Sequence, residues 1–216
     1  QKILAIIKTE ILELKEKYGD ERRTQVVAQE LNRLRDEDLV PDEQVVVTLT
    51  SANYIKRSTL NDYKKQGRGG KGRRGMATRE EDVIEHVVNA STHDYLLFFT
   101  NKGRVFRIKA YEIPQASLSA KGVAIVNILQ LQPEETVSAV INYSSNETSN
   151  EGNLIMCTVR GVIKKTPVDQ YKNIRTSGLI AINLDEGDEL KWIRHTTGNN
   201  EVVISTSEGQ AIRFHE

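Results

Sequence analysis

Tyr95-Leu96-Leu97-Phe98-Phe99-Thr100-Asn101-Lys102-Gly103-Arg104-Val105-Phe106-Arg107 is the stretch that decides the fold. An apolar run of strand length meets a short polar turn containing glycine, and polar and apolar residues alternate beyond it. This is the pattern of a β-hairpin, whose turn needs a residue that tolerates positive φ. Three other segments superpose on it, at residues 50–57, 158–165 and 206–213, each preceded by an apolar strand at 45–49, 154–157 and 202–204. The turn position holds Gly103, Gly161 and Gly209, with Asn53 in the first copy. An apolar residue follows two places on, and two places later a base: Arg57, Arg107, Lys165 and Arg213. The turns are spaced by 50, 58 and 48 residues, and the longest interval contains a polar insert at 143–150 that reads as a surface loop.

A repeat near 50 residues with several strands per unit indicates a mainly β, propeller-like array of four-stranded blades. An ordinary sandwich accounts for any one hairpin but not for aligned copies. About three to four blades are expected. Each of the first three units also has a glycine 17 to 19 residues after its turn: Gly72, Gly122 and Gly178. Apolar strands are expected after the last two, at 123–129 and 179–184, and acidic turns precede Val137 and Leu190.

Before Gly72 the first unit carries an unusual insertion. Between Lys56 and Arg79 lie nine Lys or Arg residues, five glycines and a single acid, Asp62. Its centre reads Lys64-Lys65-Gln66-Gly67-Arg68-Gly69-Gly70-Lys71-Gly72-Arg73-Arg74. The chain as a whole is neutral, with 30 basic and 30 acidic residues, so this charge is placed. Glycine lets backbone N–H groups approach an anion while Arg and Lys supply cationic arms, which suits a polyanion such as DNA. A solvated linker has the same composition. Its position favours an embellished loop on a rigid scaffold, because the second unit writes the same loop as Ser117-Leu118-Ser119-Ala120-Lys121-Gly122.

The first 43 residues read differently. Ile3, Ile7, Ile11, Leu14 and Tyr18 recur at helical steps, and Gly19-Asp20 supplies a stop. The stripe fits either a coiled-coil arm or a helix packed on its own domain. A second amphipathic stretch is possible at 26–34, and acidic, Pro-containing sequence around 36–43 marks a boundary. We therefore expect a helical arm and linker over 1–43 and the β array over 44–216. The single cysteine, Cys157, cannot form an internal disulfide and fits a reducing compartment. His and Cys spacing argues against a zinc site, and no apolar run is long enough to span a bilayer. Residues 67–72 match G-x-G-x-x-G, but without a preceding apolar strand or a following helix a dinucleotide site is not indicated. Thr92-His93-Asp94 reads as a turn before a strand, and no nucleophile–base pair stands out.

Several of these segments together resemble the C-terminal part of bacterial DNA gyrase A proteins. They are Tyr18-Gly19-Asp20-Glu21-Arg22-Arg23-Thr24, Ser91-Thr92-His93-Asp94, Ala110-Tyr111-Glu112-Ile113-Pro114, Gly187-Asp188-Glu189-Leu190 and the strap itself. The strap is similar to the gyrase box Q-[RK]-R-G-G-[RK]-G: Gln66, Arg68, Gly69, Gly70, Lys71 and Gly72 match, and Gly67 replaces a base. The resemblance implies the end of a breakage-reunion coiled coil followed by part of a β-pinwheel, in which strands cross between neighbouring blades. It implies a DNA-wrapping module of a bacterial, cytoplasmic, nucleoid-associated type IIA topoisomerase that supercoils double-stranded DNA negatively. The whole enzyme would pair two gyrase A with two gyrase B proteins and use ATP and Mg. Its catalytic tyrosine would lie outside this chain, which is then non-catalytic and needs no cofactor. DNA-binding residues implied are the strap from Lys64 to Arg74, with Lys56, Arg57, Arg104, Arg107, Lys109, Lys121, Lys164 and Lys165 on the blades. Two alternatives stay open: a topoisomerase IV-type domain that binds DNA without strong chiral wrapping, and a protein-binding β-propeller.

Overall fold

The computed structural model describes residues 2–20, 36–63, 82–144 and 151–216. Two compact units are present, residues 1–35 and 36–216. In the first, helix α1 (Lys2–Tyr18) carries the expected stripe, and all its residues are exposed. The Gly19 N–H closes its last turn on the Lys15 carbonyl at 2.8 Å, where a Cβ would lie 2.2 Å from that oxygen. The stretch at 26–34 lies outside the described residues.

In the second unit the hairpins form where the repeat places them. The strands in chain order are β1 (Gln44–Thr50), β2 (Tyr54–Thr59), β3 (Ile84–Ser91), β4 (Tyr95–Thr100) and β5 (Arg104–Lys109). They continue with β6 (Val123–Ala124), β7 (Val137–Tyr143), β8 (Asn153–Thr158), β9 (Ile163–Pro167) and β10 (Leu179–Ile180). The last are β11 (Leu190–Thr196), β12 (Glu201–Ser205) and β13 (Ala211–His215). Asn53, Gly103, Gly161 and Gly209 all sit at positive φ, between 61° and 85°. The threonine that opens each hairpin finishes the turn. Thr50, Thr100, Thr158 and Thr206 each accept, at their hydroxyl, the N–H of the residue four places on.

Four antiparallel sheets result, ordered β3-β1-β2-β6, β10-β5-β4-β7, β11-β8-β9 and β12-β13. Each complete sheet borrows its last strand: β6, from the second unit, pairs with β2, and β10, from the third, pairs with β5. This is the strand exchange that the resemblance implies. Both borrowed strands are only two residues long, shorter than the runs expected at 123–129 and 179–184. After one pair of residues the backbone turns to the hairpin. Ile125 N–H donates to the Asn53 carbonyl at 2.9 Å, and Ala181 N–H to the Gly103 carbonyl at 2.8 Å. The apolar residues that follow then fill the space between sheets.

That space is the core, and β4 shows how it is divided. Its continuous run is buried on both faces because successive side chains point opposite ways. Leu96 and Phe98 join Val47, Leu49, Ile55, Phe106, Ile113 and Ile125 between the first two sheets. Leu97 and Phe99 join Val105, Leu154, Met156, Tyr171 and Ile182 between the second and third. At the opposite edge from β6 and β10, strands β3, β7 and β11 neighbour one another. Asn142 donates to the Asn89 carbonyl at 3.0 Å and Ser138 to the Leu190 carbonyl at 2.7 Å.

Residues 36–43 are sewn to the first blades. Thr92 exchanges bonds with Pro41 and Glu43, and His93 Nε2 lies 2.8 Å from the Val40 carbonyl. Thr92-His93-Asp94 is thus a turn with a fastening role.

Candidate nucleic-acid interface

The strap residues Lys64, Lys65, Gln66, Gly67, Arg68, Gly69, Gly70, Lys71, Gly72, Arg73 and Arg74 lie outside the described residues. The segments that bracket it are described. β2 ends in a 3₁₀ turn, Leu60–Asp62, in which Asp62 accepts the Thr59 N–H and hydroxyl. On the return, Asp82 is buried and accepts the Ala52 N–H at 3.0 Å and the Ser51 hydroxyl at 3.2 Å. Burial works to raise the Asp82 carboxyl. Hydrogen bonds from Ala52, Thr50 and Ser51, with the charge of Lys121, outweigh it and hold the group below its ordinary value. The strap therefore leaves and rejoins the first sheet between β2 and β3.

The structure corrects three of the blade bases. Lys56 is fully buried, and its ammonium donates to the carbonyls of Ser117 (3.1 Å), Leu118 (2.5 Å) and Ala120 (3.0 Å). An ammonium has three donors and all are used, so this lysine does not reach a phosphate. Burial also pulls it below its ordinary pKa. Arg57 is buried with Nε on the Ile113 carbonyl at 3.1 Å; burial lowers its pKa, opposed by the charge of Glu43. Lys109 is buried with its ammonium on Glu37 at 2.6 Å and on the His93 carbonyl at 2.8 Å. All three are buried on the chain's own acceptors, a fate that repeat spacing alone does not reveal.

The other bases are more open. Arg104 pairs with the buried Glu135 at 2.7 Å, reaches the Ser177 carbonyl at 2.5 Å and lies over the Phe106 ring. Arg107 lies over the Tyr95 ring and donates to the Lys172 carbonyl. Lys164 is exposed, and its ammonium donates to the Ala181 carbonyl at 2.6 Å. Lys165 is exposed, and Lys121 lies partly exposed over the Tyr54 ring at 3.5 Å.

Sequence reasoning passed over two sets of residues. The first is a buried acid two residues ahead of each inner-edge strand: Asp82, Glu135 and Asp188. Each fastens the neighbouring hairpin. Glu135 takes the Thr100 hydroxyl at 2.7 Å, and Asp188 takes the Arg160 N–H at 3.0 Å. At Asp188 burial works to raise the carboxyl, and hydrogen bonds from Thr158, Arg160 and Glu189 with the Arg160 charge hold it low. The acidic turns before Val137 and Leu190 were the available signal. The second set is Lys172 and Arg175, exposed on the loop that ends at Gly178. The recurrent glycine spacing marked that loop.

A family model for the DNA gyrase C-terminal domain, a β-propeller, matches residues 44–91, 94–144 and 152–196. The DNA gyrase A protein of Clostridium acetobutylicum is 53% identical over 215 residues, spanning 100% of this chain and 26% of that protein. The chain thus corresponds to about a quarter of the length of that relative. Among solved structures, a DNA topoisomerase IV C-terminal domain superposes with a TM-score of 0.68 at 31% identity, covering 82% of this chain and 53% of that one. A DNA gyrase A C-terminal domain superposes with a TM-score of 0.59 at 29% identity, covering 80% and 55%. With its exchanged strands, aligned hairpins and matched blades, this chain belongs to the DNA gyrase A C-terminal β-propeller family.

Proposed function

We propose that the chain binds and wraps double-stranded DNA as part of a gyrase A protein. The observation that carries this reading is the strap from Gln66 to Gly72, a glycine-lined cationic box set into the first blade of a gyrase-family propeller. Phosphate contacts position a duplex without reading its sequence, so binding is expected to be nearly indifferent to base composition. Bending DNA through 40–90° costs about 1–6 kcal/mol, which contacts distributed along an arc must offset. In the whole enzyme the wrap would present a second duplex segment to the breakage gate with one handedness. The gyrase B protein, in an assembly of two A-type and two B-type polypeptides in the bacterial cytoplasm, would drive its passage with ATP and Mg²⁺. The catalytic tyrosine belongs to the breakage-reunion part of gyrase A.

Titration of a random-sequence duplex over a range of potassium concentrations tests the reading. With about seven strap cations on phosphates, log affinity falls against log salt with a slope near −6. A protein-binding propeller gives little DNA affinity at any salt. A topoisomerase IV-type role is the second reading, favoured by the likeness to that enzyme's C-terminal domain. It gives DNA binding with a weak linking change when nicked circles are sealed on the protein.

A further inference from the structure

The chain enters the first sheet through residues 37–43, and the side chains that hold this segment stand where the repeat is broken. Lys109 ends β5 opposite Tyr95, the first residue of β4. The register puts Thr59, Pro167 and His215 at the same position of the other hairpins, so a lysine stands there once. Its ammonium goes to the entering segment: it donates to Glu37 at 2.6 Å and to the His93 carbonyl at 2.8 Å, and lies over the Tyr95 ring at 4.0 Å. The turn between β3 and β4 supplies the other contacts. Thr92 accepts the Glu43 N–H at 3.1 Å and donates to the Pro41 carbonyl at 2.8 Å, His93 reaches the Val40 carbonyl, and Ser91 donates to the Asp42 carboxylate. Glu37, Val40 and Glu43 are half-buried and Leu39, Pro41 and Asp42 exposed, so polar contacts and little apolar burial hold the segment.

We propose that residues 37–43 form a salt-sensitive entry latch, closed by the Lys109–Glu37 pair, which opens while the blades stay folded. Two features make the open state accessible. The Glu37 side chain keeps 31% of its surface exposed, so salt screens the pair and water takes over the carboxylate when it leaves. Lys109 then retains the His93 carbonyl and the face of Tyr95, so no buried charge is stranded. Closed, the chain is held from Glu37 onward; open, it is held only from β1. The seven residues released amount to about 25 Å of extended chain, which the sequence before Glu37 gains as reach. This latch is independent of what the chain binds.

The test is amide hydrogen exchange of the 216-residue chain at rising potassium chloride. The reporters are the Glu43 N–H, bonded to the Thr92 hydroxyl, and the Thr92 N–H, bonded to the Glu43 carbonyl. From about 0.05 to about 0.5 M salt their protection is expected to fall about two- to fivefold, the worth of a partly exposed ion pair. Glu37→Gln is expected to show the lower protection at every salt concentration, with the wild-type response to salt gone. Protection in the β4–β5 ladder stays at its wild-type value throughout. Salt-independent protection of the two reporters in the wild type, or wild-type protection in Glu37→Gln, overturns the latch. A loss shared equally by the β4–β5 ladder overturns it too, because the segment would then open only with the blades.

Discussion

A lysine in the interior of a sheet stack is costly unless each of its donors finds an acceptor. Lys56 meets that condition with three carbonyls from one loop. Lys56→Met is expected to cost about 1–3 kcal/mol, because three carbonyls of one loop lose their donor. Urea unfolding measures it, and a loss within about 0.5 kcal/mol of zero would show the loop to be held otherwise. The buried acids act in the same way from the opposite charge. Asp82 and Asp188 are held below their ordinary value near 3.8. A carboxyl whose folded value is depressed stabilises the fold fully above its unfolded value and loses that contribution as pH falls through the folded one. Melting temperature should therefore hold down to about pH 4 and fall below it, with a shallower fall in Asp188→Asn, whose plateau is itself lower. None of this could be read from the residues alone. Lys56 and Arg107 occupy matching hairpin strands and both look like free cations. Their partners lie 61 to 65 residues away, and only strand exchange brings those carbonyls near.

At the scale of elements, the hairpins were legible because their signal is local. Asn53, Gly103, Gly161 and Gly209 announce turns that need positive φ, and all four adopt it. The doubly buried β4 was equally plain in Leu96-Leu97-Phe98-Phe99. The length of β6 and β10 was not legible, because what ends them is a bond to the neighbouring hairpin's turn, at the Asn53 and Gly103 carbonyls. The glycine ahead of each exchanged strand tolerates little change. At Gly178, φ is 82° and a Cβ would lie 2.9 Å from the Phe106 ring. Gly178→Ala should cost about 1–3 kcal/mol through backbone strain and crowding of that ring. A melting temperature equal to wild type would mean that the crossing is less tightly packed than the geometry shows. Arg107→Met should cost about 1–2 kcal/mol for the clasp it loses on the third blade's loop, again measured by urea unfolding.

For the molecule as a whole, the architecture separates holding from gripping. Burial between successive sheets fixes the blades, and buried acids and bases fix the turns and loops. The gyrase-type fold was recognisable from spacing and from the box. The division of labour among its bases was not, since Lys56, Arg57 and Lys109 sit on strands that the sequence marks with bases while their side chains are buried.

The most direct measurement seals nicked circular DNA on the wild-type chain and on a variant with Arg68→Gln, Lys71→Gln, Arg73→Gln and Arg74→Gln, then resolves the topoisomers. The account predicts a linking change of one sign that grows with wild-type protein and is largely lost in the variant. An equal shift with both proteins, or none with the wild type despite binding, would contradict it.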